Sequence, residues 1–70
     1  MSHALRACLL IRLDARIPEW VPVDDLASHL QVMATTVRTE LASMWRDGLV
    51  QLVNDGPAGR ITAAAIRMPS

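Results

Sequence analysis

Apolar residues near the start of the chain recur at helical spacing. Leu5, Leu9 and Leu13 stand four residues apart in a stretch that contains no Gly or Pro, and this spacing places their side chains on one face of an α-helix. Pro18 cannot continue a helix, and it disfavours helical backbone angles in the residue before it. The pattern therefore predicts helix one over residues 3–16.

A second, shorter helix is predicted over residues 23–30, where Leu26 and Leu30 form its buried stripe. Asp24 and Asp25 fall in its first turn, where carboxylates offset the positive end of the helix dipole. No third metal-ligating side chain stands close to them in the sequence. We therefore interpret both acids as structural, and we predict neither a metal site nor a catalytic role for them.

Helix three is predicted over residues 34–47. Val37, Leu41 and Met44 follow the i, i+4, i+7 spacing of a stripe that faces a core. Gly48 comes directly after this helix and is suited to the left-handed conformation that ends many helices.

Two β-prone segments follow, and they predict a hairpin over residues 49–67. The sequence NDGPAG lies between them and is typical of a hairpin loop. Ile61 and Ile66 are out of phase for a regular strand, so we expect a β-bulge. A short strand is also predicted at Trp20 and Val21.

The composition is that of one globular domain over residues 1–70, because 51% of the residues are apolar and only 20% are charged. The predicted order of helix, short strand, helix, helix and hairpin makes this an α+β domain. Seven Arg balance seven acidic residues, so the net charge provides no general attraction to nucleic acid. Cys8 lies in an apolar helical segment and is expected to be buried. No segment is long enough to span a bilayer and no signal-peptide pattern is present, which favours a cytoplasmic location.

The segment over residues 26–50 resembles the DNA-binding heads of DeoR-type bacterial transcriptional regulators, which are winged helix-turn-helix domains. In that family, a helix of the form LAxxL leads through a short turn to xxTVRxxLxxLxxxGLV. The matching residues are Leu26, Ala27, Leu30, Val32, the run TVRTEL over 36–41, Met44 and the run DGLV over 47–50. The resemblance implies a small winged helix with three helices, a short strand and a C-terminal β-hairpin wing, in which helix three is the recognition helix.

Two residues depart from the family pattern. Gln31 stands where the family usually has Gly, and a turn with positive φ is more costly for Gln than for Gly. Met33 stands where Ser or Thr would cap helix three. Thr35 could cap the helix instead if it begins one or two residues later.

The face of helix three that points away from the core stripe is small and rich in hydroxyl groups. Such side chains allow close approach to the major groove, and Arg can contact guanine edges. Arg60 lies next to the hairpin tip and is also predicted to contact DNA. The full set of predicted DNA-binding residues is Thr35, Thr36, Arg38, Thr39, Ser43, Arg46 and Arg60. Of the other residues in this helix, Glu40 is expected in a structural ion pair, and Trp45 is expected to pack on helix one or the hairpin.

These observations favour sequence-specific binding of double-stranded DNA by a small bacterial or mobile-element regulator. The alternative is a winged-helix module that docks on other proteins, which would suit the neutral charge. An enzyme is not predicted, because the sequence contains no nucleophile and base pair, phosphate-binding loop or ligand cluster. No cofactor or small-molecule ligand is predicted either.

Helix one is apolar on more than one side, so we also predict a homodimer. Its second apolar side carries Ala7, Leu10 and Ile11, and a 70-residue fold has little mass with which to cover it. A two-fold dimer would also double the number of phosphate contacts. The alternative is a monomer in which the hairpin covers this side.

Overall fold

The computed structural model describes residues 3–55 and 59–67. Within them the chain forms three helices and a three-stranded antiparallel sheet, which is an α+β arrangement. The elements in chain order are α1 (His3–Asp14), β1 (Val21–Pro22), α2 (Val23–Leu30), α3 (Ala34–Arg46), β2 (Val50–Asp55) and β3 (Arg60–Ile66). The sheet order is β1-β3-β2. No helix among the described residues is long and apolar enough to cross a membrane.

One hydrophobic core joins the three helices to one face of the sheet. The predicted stripe of α3 is fully buried, as are two of the three leucines predicted for α1. The largest side chains in this core are Leu9, Leu13, Leu26, Leu41, Met44, Val21, Val23, Val37 and Val50. The buried face of α3 that the helical periodicity predicted is therefore confirmed.

The outer side of α1 differs from the sequence prediction at two positions. Cys8 is exposed rather than buried, because it lies well away from the side of the helix that carries Leu9 and Leu13. Leu10 is partly buried against the core of its own domain, so less of its side chain is available to a second copy than the sequence predicted. The helix also ends at Asp14, two residues earlier than predicted.

The connection between α2 and α3 contains a left-handed residue at the position where the resembled family usually has Gly. Gln31 has a φ of 57°, in the left-handed region that favours Gly. Met33 is the residue before α3 and makes no side-chain capping hydrogen bond. Because α3 begins at Ala34, the alternative in which Thr35 caps a later start is wrong.

Replacing Gln31 by Gly should therefore stabilise the domain. Removing the left-handed strain of a side chain gains more than the added freedom of the unfolded chain costs, so we expect a net gain of about 0.5–1 kcal/mol. Chemical denaturation followed by circular dichroism measures this change. Gln51→Gly is the matched control, because Gln51 lies in a strand and its replacement should destabilise the domain. Equal effects of the two substitutions would contradict the prediction.

The β2-β3 hairpin contains the predicted bulge. Val53 pairs with Ala63, whereas Asn54 pairs with Ile61, so Thr62 is the extra residue. The Thr62 hydroxyl donates a hydrogen bond to the carbonyl oxygen of Val53 at 3.2 Å. The bulge explains how Ile61 and Ile66 can both pack against the core despite being out of phase. Residues 56–58 of the predicted loop lie outside the described residues.

Candidate nucleic-acid interface

The N-terminal half of α3 presents three threonines to solvent. Thr35, Thr36 and Thr39 are all exposed, as the sequence predicted for this half of the helix. The Thr39 hydroxyl donates to the carbonyl oxygen of Thr35 at 2.9 Å, and its oxygen can still accept a hydrogen bond. These exposed side chains are small and polar, and they lie on a regular helix.

Arg38 joins α3 to the hairpin. Its Nε atom donates to the carbonyl oxygen of Ile61 in β3 at 2.9 Å, and the side chain is partly buried. Among the described residues, no hydrogen bond occupies its two terminal nitrogens, Nη1 and Nη2. The sequence predicted Arg38 as a DNA-binding residue and gave it no partner within the domain. In the structure, its guanidinium lies between α3 and β3 and keeps donors that can bind a ligand.

On the opposite flank of α3, Arg6 from α1 binds three side chains. Its Nε donates to Glu40 Oε2 at 2.9 Å, its Nη1 to Asp47 Oδ2 at 2.7 Å and its Nη2 to Ser43 Oγ at 2.8 Å. These contacts span almost two turns of α3 and fix its rotation relative to α1. The expected ion pair of Glu40 is therefore present, with Arg6 as its partner.

Hydrogen bonds to Asp47 and then to Glu40 raise the pKa of the Arg6 guanidinium above its ordinary value. Arg6 consequently carries its positive charge throughout the pH range in which proteins are normally studied. Glu40 is almost completely buried, with 7% of its side chain exposed, whereas 55% of the Asp47 side chain is exposed. Arg6 thus offsets part of the negative charge of Glu40 in α3 and of Asp47, the residue that follows α3.

Ser43 is partly buried, and its hydroxyl accepts a hydrogen bond from Arg6. The sequence placed Ser43 on the outward side of the helix and predicted no such partner within the domain. The sequence analysis did not identify Arg6, although residues 40, 43 and 47 share one side of a helix. That shared side was the available signal that a cation from another element might bind there.

Arg46 and Arg60 are exposed, at the end of α3 and at the start of β3. Asp55 stands opposite Arg60 in the β2-β3 ladder. Two further acids, Asp24 and Asp25, are exposed in the first turn of α2. Arg38 and Arg46 are in none of the ion pairs found among the described residues, so α3 carries positively charged side chains even though the whole chain is neutral.

A shallow groove runs between the C-terminal half of α3 and the hairpin. The residues that line it are Ala42, Trp45, Leu52, Asn54, Gly59 and Ile61. The sequence predicted that Trp45 packs on helix one or on the hairpin. It lies beside the hairpin, but 58% of its surface remains exposed. An exposed indole next to polar and apolar groups can contact a ligand without any rearrangement of the core.

We compared the chain with protein-family models, curated proteins and solved structures, and none of them matched. Of the predicted DNA-binding residues, Thr35, Thr36, Thr39 and Arg46 are exposed on α3, and Arg60 is exposed at the start of β3. Arg38 links α3 to β3 through its hydrogen bond to Ile61, whereas the hydroxyl of Ser43 binds Arg6 of α1.

Proposed function

We propose that this chain is a winged helix-turn-helix domain that binds double-stranded DNA. In this proposal α2, the three-residue connection over 31–33 and α3 form the helix-turn-helix, and α3 is the recognition helix. The β2-β3 hairpin is the wing. The helices, the sheet order and the left-handed residue at position 31 support this assignment.

The observation that carries the proposal is the charge distribution on α3. Glu40 and Asp47 would repel phosphate if they were free, but both bind Arg6. Arg38 and Arg46 are not in any of the described ion pairs. A neutral chain can thus present a positive, hydroxyl-rich helix to DNA, where Arg and Thr supply phosphate and base contacts.

Binding to a random-sequence duplex at two salt concentrations tests this proposal. Each phosphate contact releases counterions, so the affinity should fall as salt rises, with a log-log slope of about −0.9 per contact. The affinity should also be higher for a duplex selected from a random pool than for random DNA. Weak binding that does not depend on salt would contradict a role in DNA binding.

The wing should contribute mainly through Arg60. We expect Arg60→Ala to lower the affinity for selected and random duplexes to about the same extent, because an exposed Arg at the hairpin end contacts phosphate. The slope of log affinity against log salt concentration should become shallower by about one unit. Asp55→Asn is the opposite control: removing the acid across the ladder should strengthen binding to both duplexes. Loss of affinity for only certain sequences would show that Arg60 reads bases instead.

The exposed Trp45 favours a second candidate function, which is docking on another protein. Tryptophan beside a groove is common at the centre of protein interfaces. Trp45→Ala distinguishes the two functions, because we expect it to reduce affinity for DNA less than Arg38→Ala does. If Trp45→Ala had no effect on DNA binding but abolished association with a cellular protein, docking would be the better description.

A further inference from the structure

The outer face of α1 is apolar and exposed. We define this face by Ala4, Ala7, Cys8, Ile11 and Ala15, all of which are exposed. Ile11 is its one large side chain, and 70% of its surface is in contact with solvent. The face continues into a shallow groove between α1 and α2, which is lined by Cys8, Ile11, Arg12, Ala15, His29 and Leu30.

We propose that this face binds the outer face of α1 in a second copy of the chain, with the two helices antiparallel about a two-fold axis. One large side chain surrounded by small ones is self-complementary. Ile11 of each copy would insert between Ala4 and Ala7 of its partner, as a knob enters a hole in helix packing. Small residues also allow two helices to approach closely.

The charges beside this face fit the same arrangement. His3 and Asp14 lie within about 20° of each other around the helix axis, on the same edge of the outer face. In an antiparallel pair, equivalent edges of the two helices face each other. When Ile11 is level with the partner's Ala7, His3 lies about 1.5 Å along the axis from the level of the partner's Asp14. The imidazole of each His3 therefore lies beside the carboxylate of the partner's Asp14, which gives two such contacts in the dimer.

The same register brings Cys8 close to the partner's Cys8. Their levels differ by about 3 Å along the axis, and both lie on the same edge of the outer face. Cys8 is exposed in the free chain. It therefore reports on this pairing through its ability to form an intermolecular disulfide.

A single pair of three-turn helices buries less surface than the roughly 1,200–2,000 Å² of a standard stable interface. We therefore assign this dimer a dissociation constant in the micromolar range or weaker. The inference does not depend on DNA binding, because it concerns the surface of α1 and is measured on the free protein. If the chain also binds DNA, the dimer would present two recognition helices.

Two measurements on the full chain test the proposal: sedimentation equilibrium, and oxidation of the Cys8 thiols by diamide at pH 8, where diamide accepts the two electrons and two protons released as the disulfide forms. The wild type should dimerise at high micromolar concentration and form a Cys8-linked dimer, and Ile11→Glu should weaken the dimer by more than about tenfold. Met33→Glu is the matched control, because 71% of Met33 is exposed on a different surface. A monomeric wild type, or an equal effect of both variants, would overturn the proposal.

A charge exchange tests the antiparallel register. His3→Glu places two acids opposite each other and should weaken the dimer by about fivefold, and adding Asp14→Lys to this variant should restore it. The exchange leaves the apolar face unchanged. Failure of the second substitution to restore association would contradict the antiparallel arrangement.

Discussion

Leu41→Ala should lower the free energy of unfolding by a large fraction of the total, and it should unfold the domain outright if the wild type lies near the lower end of the range below. Leu41 is fully buried in the core beneath α3, and truncating a buried Leu costs about 2–5 kcal/mol. A domain of 70 residues has a total stability of only about 4–10 kcal/mol. Thermal and urea unfolding, followed by circular dichroism, measure the loss.

Leu10→Ala is the matched control for this substitution. It removes the same atoms from a side chain that is only partly buried, so its cost should be clearly smaller. If the two variants unfolded at similar urea concentrations, the proposed packing of α3 on the core would be wrong.

The second large effect is expected at Arg38. Arg38→Ala should lower the affinity for a selected duplex by about 5- to 150-fold, which corresponds to a loss of about 1–3 kcal/mol. The physical reason is that the carbonyl oxygen of Ile61 holds the guanidinium through Nε and orients the two terminal nitrogens before DNA binds. Fluorescence anisotropy with a labelled duplex measures the affinity.

Arg38→Lys separates charge from orientation. Lysine keeps the positive charge, but its ammonium group is a point charge and lacks the planar set of donors. We expect an intermediate affinity and a salt slope close to that of the wild type. The melting temperatures of both variants should stay near the wild-type value, since the hydrogen bond to Ile61 contributes only about 1 kcal/mol. If Arg38→Ala bound the selected duplex as tightly as the wild type, Arg38 would not be part of the DNA interface.

Local sequence patterns were sufficient to predict most of the fold. The repeat of Val37, Leu41 and Met44 identified the buried face of α3, because burial of a helix follows its 3.6-residue period. The phase conflict between Ile61 and Ile66 predicted the bulge that the hairpin contains. These features depend on residues close in sequence, where spacing and conformation are directly related.

The rotation of α1 was less predictable. An almost continuously apolar helix has no clear boundary between its buried and exposed sides. The sequence alone therefore did not show that Leu10 packs on the core while Cys8 and Ile11 remain exposed. Tertiary contacts with the rest of the domain decide the rotation.

The contacts that organise the candidate site join residues distant in sequence. Arg6 and Glu40 are separated by 34 positions, and Arg38 and Ile61 by 23. Periodicity gives no information about such pairs. The contact from Arg38 ends on a backbone carbonyl, which is present at every residue and therefore leaves no signal in the sequence. For this reason the sequence identified exposed Arg and Thr residues but did not reveal how α1 neutralises the acids of α3.

The most direct test of the central claim is an NMR titration of the ¹⁵N-labelled chain with a short DNA duplex. Binding through α3 and the hairpin predicts that the largest amide shift changes occur over residues 34–39 and 59–62, with small changes over residues 4–12 of α1. Changes concentrated on α1, or no saturable change at low salt, would contradict the proposal that α3 and the hairpin bind DNA.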